Sequence, residues 1–339
     1  MKNDFFKLNT SFKNNLKAFG LMILTVLIPF SSQFGTAVIP DSMIKSFDTE
    51  KANFSVRYKN EVTNWKVAPL FVLPGETVLI DIPHANSDQF FSFQADFGQV
   101  DYHSPSLWSW TAPKQSGIAT IVIGKTDSTE KIQINAFILV PAKKIKNGLL
   151  NGYKIGSYPI VSKDKKNLYP YPDGFVEVTP ENKNTLVSPH FSIGEFICKQ
   201  AGRYPKYVAL KEKLIFKLEY ILETVNLEGI PCEKLTVMSG FRTPHYNRSL
   251  RNAKLSRHMF GDAADVYIDN NRDGNMDDLN HDGQVNQKDA EILSQIVLAL
   301  NQDPSFKPLQ GGIGHYRATH SHGPFVHVDT RGVLKEWSN

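Results

Sequence analysis

A chain of 339 residues exceeds one ordinary domain, and about 150 residues per domain points to two domains plus a leader. Hydrophobic residues at 41% and charged residues at 21% exclude a disordered chain. Of the formal net charge of +4, residues 1–38 carry +3 (Lys2, Lys7, Lys13 and Lys17 against Asp4), so the remainder is near neutral and bulk charge excludes a nucleic-acid groove.

The first 37 residues read as an export signal: a basic region to Lys17, an apolar run from Ala18 to Phe30, then small residues suited to cleavage after Ala37. The run is short for a membrane span. The other reading, an uncleaved anchor reaching Ile39, would have to bury Ser31, Ser32 and Gln33. Either way the bulk of the chain is delivered outside the cytoplasm, to the periplasm or cell envelope, with membrane contact only if the segment stays uncleaved. The only two cysteines, Cys198 and Cys232, could pair in that oxidising setting.

Residues 45–145 predict an all-β, immunoglobulin-like sandwich, because short alternating runs such as Thr77 to Ile82, Ile118 to Ile123 and Ile132 to Val140 are punctuated by Pro74-Gly75 and Ser116-Gly117. Its aromatics, Phe90, Phe91, Phe93, Phe97, Tyr102, Trp108 and Trp110, either fill the core or dock the next domain, which is the expectation, or form a platform for glycans. Residues 146–190, rich in Gly, Pro, Tyr and Lys, predict an extended connector wrapped on the next domain. From Val208 to Val225 apolar residues recur at three and four, predicting a helix that ends near Gly229. Residues 191–339 predict an α+β domain around a small antiparallel sheet.

That last region carries the chemistry. Ser256 to Val266 sets His258 and Asp265 seven residues apart, and Phe325 to Arg331 adds His327. Imidazole and carboxylate are the ligands of a hydrolytic Zn²⁺ that keeps a fourth position open for water. Alternation in Phe325-Val326-His327-Val328-Asp329 puts His327 and Asp329 on one face and the valines behind.

Four ordered motifs, SGFRTPHYN (Ser239 to Asn247), SRHMFGDAAD, GGIGHY (Gly311 to Tyr316) and HGPFVHVDTR, resemble those of the M15 zinc peptidases, which are D-alanyl-D-alanine carboxypeptidases and peptidoglycan endopeptidases. The resemblance implies Zn²⁺ on His258, Asp265 and His327, and peptidoglycan as partner. It makes Arg242 a substrate-facing arginine, able to clamp a carboxylate or stabilise an oxyanion, and Ser256 a substrate-contacting hydroxyl. A structural arginine pairing with a nearby carboxylate is the other reading of Arg242. Many members place an acidic residue three positions before the last histidine, and here that position is Pro324. The proton carrier then falls to His322 or Asp329, with His320 a weaker candidate; Asp329 could equally orient His327. His315 and His320 read as loop histidines.

Residues 269–289 form an insertion. Asp278, Asn280, Asp282, Gln284, Asn286 and Asp289 around Gly283 fit the twelve-residue calcium loop, and Asp269 to Asp277 repeats its first half. Calcium is therefore expected here for rigidity; plain Asx-Gly turns are the alternative. Taken together the sequence predicts an exported zinc peptidase acting on peptidoglycan stem or cross-link peptides. A non-catalytic, zinc-containing cell-wall-binding or scaffolding protein competes with it, and a calcium-stabilised adhesion module is a third reading.

Overall fold

The computed structural model describes residues 47–86 and 89–339, so the expected leader at 1–37 lies outside the described residues. Nine strands come first: β1 (Lys51–Tyr58), β2 (Glu61–Trp65), β3 (Val67–Val72), β4 (Thr77–Asp81), β5 (Phe91–Ala95), β6 (Gln99–Ser104), β7 (Leu107–Thr111), β8 (Gly117–Lys125) and β9 (Lys131–Ile138). They form two sheets, ordered β2-β1-β4-β7-β6 and β3-β9-β8-β5. Alternation drives this: Val78 and Ile80 of β4, and Ala119, Ile121 and Ile123 of β8, are buried while their neighbours are less so. The sheets meet where Phe54 packs on Phe91 (ring centroids 5.2 Å) and Phe93 on Trp108 (5.3 Å). Phe91, Trp108 and Trp110 are core, whereas Phe90, Phe97 and Tyr102 stand exposed on or beside β5 and β6, each an edge strand of its own sheet.

The chain then forms β10 (Val140–Pro141), a hairpin of β11 (Leu149–Leu150) and β12 (Tyr153–Lys154), β13 (Gly174–Val178) and β14 (Lys206–Val208), with β10-β13-β14 making a small sheet. The connector lies on the following region: the Tyr158 hydroxyl donates to the Met259 carbonyl at 2.9 Å and Tyr169 sets its edge against Phe260. Helix α1 spans Glu212–Leu227, later than the apolar period suggests. Val208 is buried as a strand residue paired with Val176, so its spacing from the helix is coincidental. Cys198 and Cys232 are both buried free thiols; no disulfide brackets α1.

The carboxy-terminal sheet contains β15 (Leu235–Ser239), β16 (Ala263–Ile268), β17 (Gly312–Tyr316), β18 (Phe325–Asp329) and β19 (Lys335–Ser338) in the order β15-β16-β18-β17-β19. It is antiparallel except at the edge, where β19 runs parallel to β17 because the chain leaves β18 and passes the start of β17 before returning. Helix α2 (Pro244–Ser249) follows β15, and α3 (Gln287–Gln302) packs on one face of β17 and β18. The whole is mixed α+β with mostly sheet. Among the described residues no helix is long and apolar enough to cross a membrane.

Candidate metal centre

Register assembles the site. Ser239 pairs with Asp265, Asp265 with His327, His327 with Gly314 and Gly314 with Trp337, so one row crosses all five strands. Paired residues share a face, which puts Asp265, His327 and Trp337 together on the side opposite α3. His258 enters from the 3-10 turn Arg257–Phe260. That turn closes at Gly261, whose φ of 75° and contact with the Ala209 carbonyl exclude a side chain. Asp262, paired with Arg257 and with Lys211 at 2.9 Å, locks the turn from behind.

Three acceptor atoms converge. Asp265 Oδ1 lies 3.1 Å from His258 Nε2 and 2.9 Å from His327 Nδ1, and the two nitrogens are 3.2 Å apart. All three residues are buried, and among the described residues they are the group of His, Cys, Asp and Glu able to hold a metal ion. The far ring nitrogens fix the tautomers. His258 Nδ1–H donates to the Gly240 carbonyl at 2.7 Å, and His327 Nε2–H reaches Asp329 Oδ2 at 3.3 Å, so both inner nitrogens turn lone pairs to the centre. Two lone pairs and a carboxylate oxygen facing one another repel unless a cation or proton stands between them. The donor set therefore fits a Zn²⁺ held by two imidazoles and one carboxylate.

The electrostatics agree. Burial lowers the His258 pKa, with Asp265 offsetting only part, which keeps the imidazole neutral. Burial alone would raise Asp265, but His258, His327 and Arg242 hold it well below the usual carboxylate range. For His327 burial lowers and the hydrogen bonds to Asp265 and Asp329 raise the pKa, with a net rise, so a metal competes with a proton there.

The remaining predicted residues take distinct places. Arg242 engages Asp265 Oδ2 through Nη2 and Ser239 Oγ through Nε, orienting the ligand carboxylate. Asp329, fully buried, stands behind His327: Oδ1 accepts from the Gly312 amide (2.8 Å) and the Arg331 amide (3.0 Å), and Oδ2 takes His327 and Arg331. Asp329 therefore meets the ring nitrogen of His327 that faces away from His258 and Asp265. His322 is half-buried, its Nδ1–H donating to the Gly323 carbonyl at 2.8 Å and its ring edge 5.0 Å from Phe325. In the neutral ring this leaves Nε2 as the acceptor. Pro324 is buried at the foot of β18. Ser256 precedes the His258 turn, half-buried, with no side-chain capping bond. His320 is exposed, and His315 lies within β17 rather than in a loop, facing Ser294 of α3 at 3.3 Å.

Residues 278–289 are closed by their own side chains. Asp278 accepts the amides of Asp282 and Gly283, Asn280 that of Asp282, and Asp282 that of Gln284. Asp269, Asn271 and Asp273 repeat the pattern upstream. Asp289 is buried and closes a capping box with Asn286 at the start of α3, while also accepting from Leu279 and Asn280.

Three residues escaped the sequence reading. Trp337 sets its ring 5.3 Å from that of His327, in space that a Cβ on Gly314 would fill. Tyr316 accepts from Trp337 Nε1 at 2.7 Å. Lys217, buried in α1, donates to the Asp329 carbonyl at 2.9 Å, and burial brings its pKa down to about 7. Tyr316 closes the GGIGHY motif, which was the available signal for it; Trp337 had none.

A buried His, Asp, His donor set with each histidine hydrogen-bonded from behind could hold a metal ion. The family model described as Peptidase M15 matches residues 189–288, which supports an M15 family peptidase. The match includes His258 and Asp265 but stops short of His327, which only the pairing of β18 with β16 brings to them. No curated protein matches the chain.

Proposed function

We propose that this protein is an exported zinc peptidase that hydrolyses peptidoglycan stem or cross-link peptides. The observation that carries the reading is the convergence of His258 Nε2, Asp265 Oδ1 and His327 Nδ1, within and beside an M15 match, with Gly240 and Asp329 setting the two tautomers. A zinc ion bound there supplies a water of lowered pKa and polarises the scissile carbonyl. The chain's own residues do the rest. Asp329 and the Gly240 carbonyl hold the imidazoles in ligating orientation, and Arg242 holds Asp265 by its outer oxygen. His322, with Nε2 unprotonated in this tautomer, takes the proton from water and returns it to the leaving amine. Export and an envelope location follow the leader, and the loop at 278–289 holds calcium as a structural ion in this reading.

The test is digestion of purified wall fragments by the zinc-loaded protein, with products read by mass spectrometry. New free termini at stem or cross-link peptides are expected, and each of His258→Ala, Asp265→Ala and His327→Ala should lose most zinc and most activity together. Undiminished zinc in His327→Ala would overturn the ligand set. Stoichiometric zinc with intact fragments would instead favour the scaffolding protein.

A further inference from the structure

The metal face carries one fixed donor that the proposed chemistry does not yet use. Tyr316 is paired with Phe325 across β17 and β18, and the rings stack with centroids 4.5 Å apart and 7° between planes. Phe325 is two residues before His327, so the phenol shares the face of the metal centre. An indole nitrogen is a donor only, and Trp337 Nε1–H reaches the Tyr316 oxygen at 2.7 Å, so the phenol accepts. Its own proton has no acceptor among the described residues. Burial raises the Tyr316 pKa, with the Trp337 hydrogen bond offsetting part of the rise, so the phenol keeps its proton near neutral pH.

Arg242 spends Nε and Nη2 on Ser239 and Asp265, whereas the phenol is a neutral donor whose proton is not so engaged. Trp337 is itself fixed: its indole lies across Gly314, and the Arg331 guanidinium sits 5.5 Å above its ring. We propose that Tyr316 is the substrate-facing hydrogen-bond donor of this site, giving its phenol proton in a hydrogen bond to the oxygen that gains negative charge on the attacked carbonyl, with Trp337 as its positioning residue. The inference rests on the peptidase reading. No proton is transferred to the oxygen; the bond strengthens as charge develops, which favours the transition state over the bound peptide.

The experiment compares the zinc-loaded full chain with Tyr316→Phe and Trp337→Phe for zinc content, melting temperature, kcat and KM on wall peptides, and affinity for acetohydroxamate. The last probe presents an anionic oxygen at zinc without needing the correct peptide. Tyr316→Phe should keep its zinc and melting temperature, lose roughly 100-fold in kcat with KM little changed, and bind acetohydroxamate about 10-fold more weakly. Trp337→Phe should shift the same quantities in the same direction by less. Acetohydroxamate affinity and kcat within about twofold of wild type in Tyr316→Phe would overturn the assignment, as would a loss that tracks zinc release. If no wall peptide is cleaved by the wild type, the peptidase reading fails, while the acetohydroxamate comparison still decides the role of the phenol.

Discussion

At the scale of single residues the division of labour turns on which way each side chain points. Asp329 accepts His327 on one side and Arg331 on the other, and although burial alone would raise its pKa, those two partners hold it well below the usual carboxylate range. It is therefore a poor proton acceptor near neutral pH and an effective anchor. Asp329→Asn should lower zinc affinity about 10- to 100-fold, since the imidazole loses its charged partner. His322→Ala should keep full zinc and lose about 100- to 10,000-fold in turnover. Turnover at fixed zinc occupancy measures both, and full activity in His322→Ala would remove it from the mechanism. That His258, Asp265 and His327 belong together was legible in the sequence through the ordered motifs, with alternation around His327 and the tight Gly261 turn as local support. Trp337 was not, because its nearness to His327 arises only from a parallel pairing of β19 with β17, for which the last residues of the chain carry no periodic sign.

At the scale of elements, prediction held where an alternating or helical period was long and slipped where burial of a strand imitated it. Val208 is apolar at helical spacing yet belongs to β14, since buried strands and helices share composition over three residues. The insertion shows the opposite case, a loop whose shape is written in oxygen-bearing side chains. In both halves the first carboxylate accepts the fifth and sixth amides, which closes the turn, and Asp289 joins the second turn to the first residues of α3. Calcium bound only by the folded chain should stabilise it by about 2.7 kcal/mol at a hundredfold excess over Kd. Melting in calcium, against melting in a chelator that spares zinc, reads this directly. Equal midpoints would mean that amides alone close the loop.

At the scale of the whole molecule, the amino-terminal sheets and α1 are joined by packing and charge together. The amide of Phe71 donates to Glu212 at 3.0 Å, Lys51 meets Glu223 at 2.5 Å, and Tyr220 sets its ring on Trp65 at 5.8 Å while its other side meets Phe306 at 5.7 Å. Buried residues run without a break from Val56 and Trp65 through Leu214 and Leu218 to Val326 and Val328. One turn before Tyr220, Lys217 reaches the metal sheet at the Asp329 carbonyl, so one helix bears on both. None of this was visible in the sequence, where α1 reads as scaffold for its own domain only, because an interface between distant segments leaves no period in either. A shared core makes unfolding cooperative. Calorimetry of the zinc-loaded chain should show one transition, and Tyr220→Ala should lower it by about 2–4 kcal/mol of stability through the lost aromatic contacts. Two transitions, with only the lower one moved by Tyr220→Ala, would show instead that the amino-terminal sheets fold alone and are merely tethered to the metal domain.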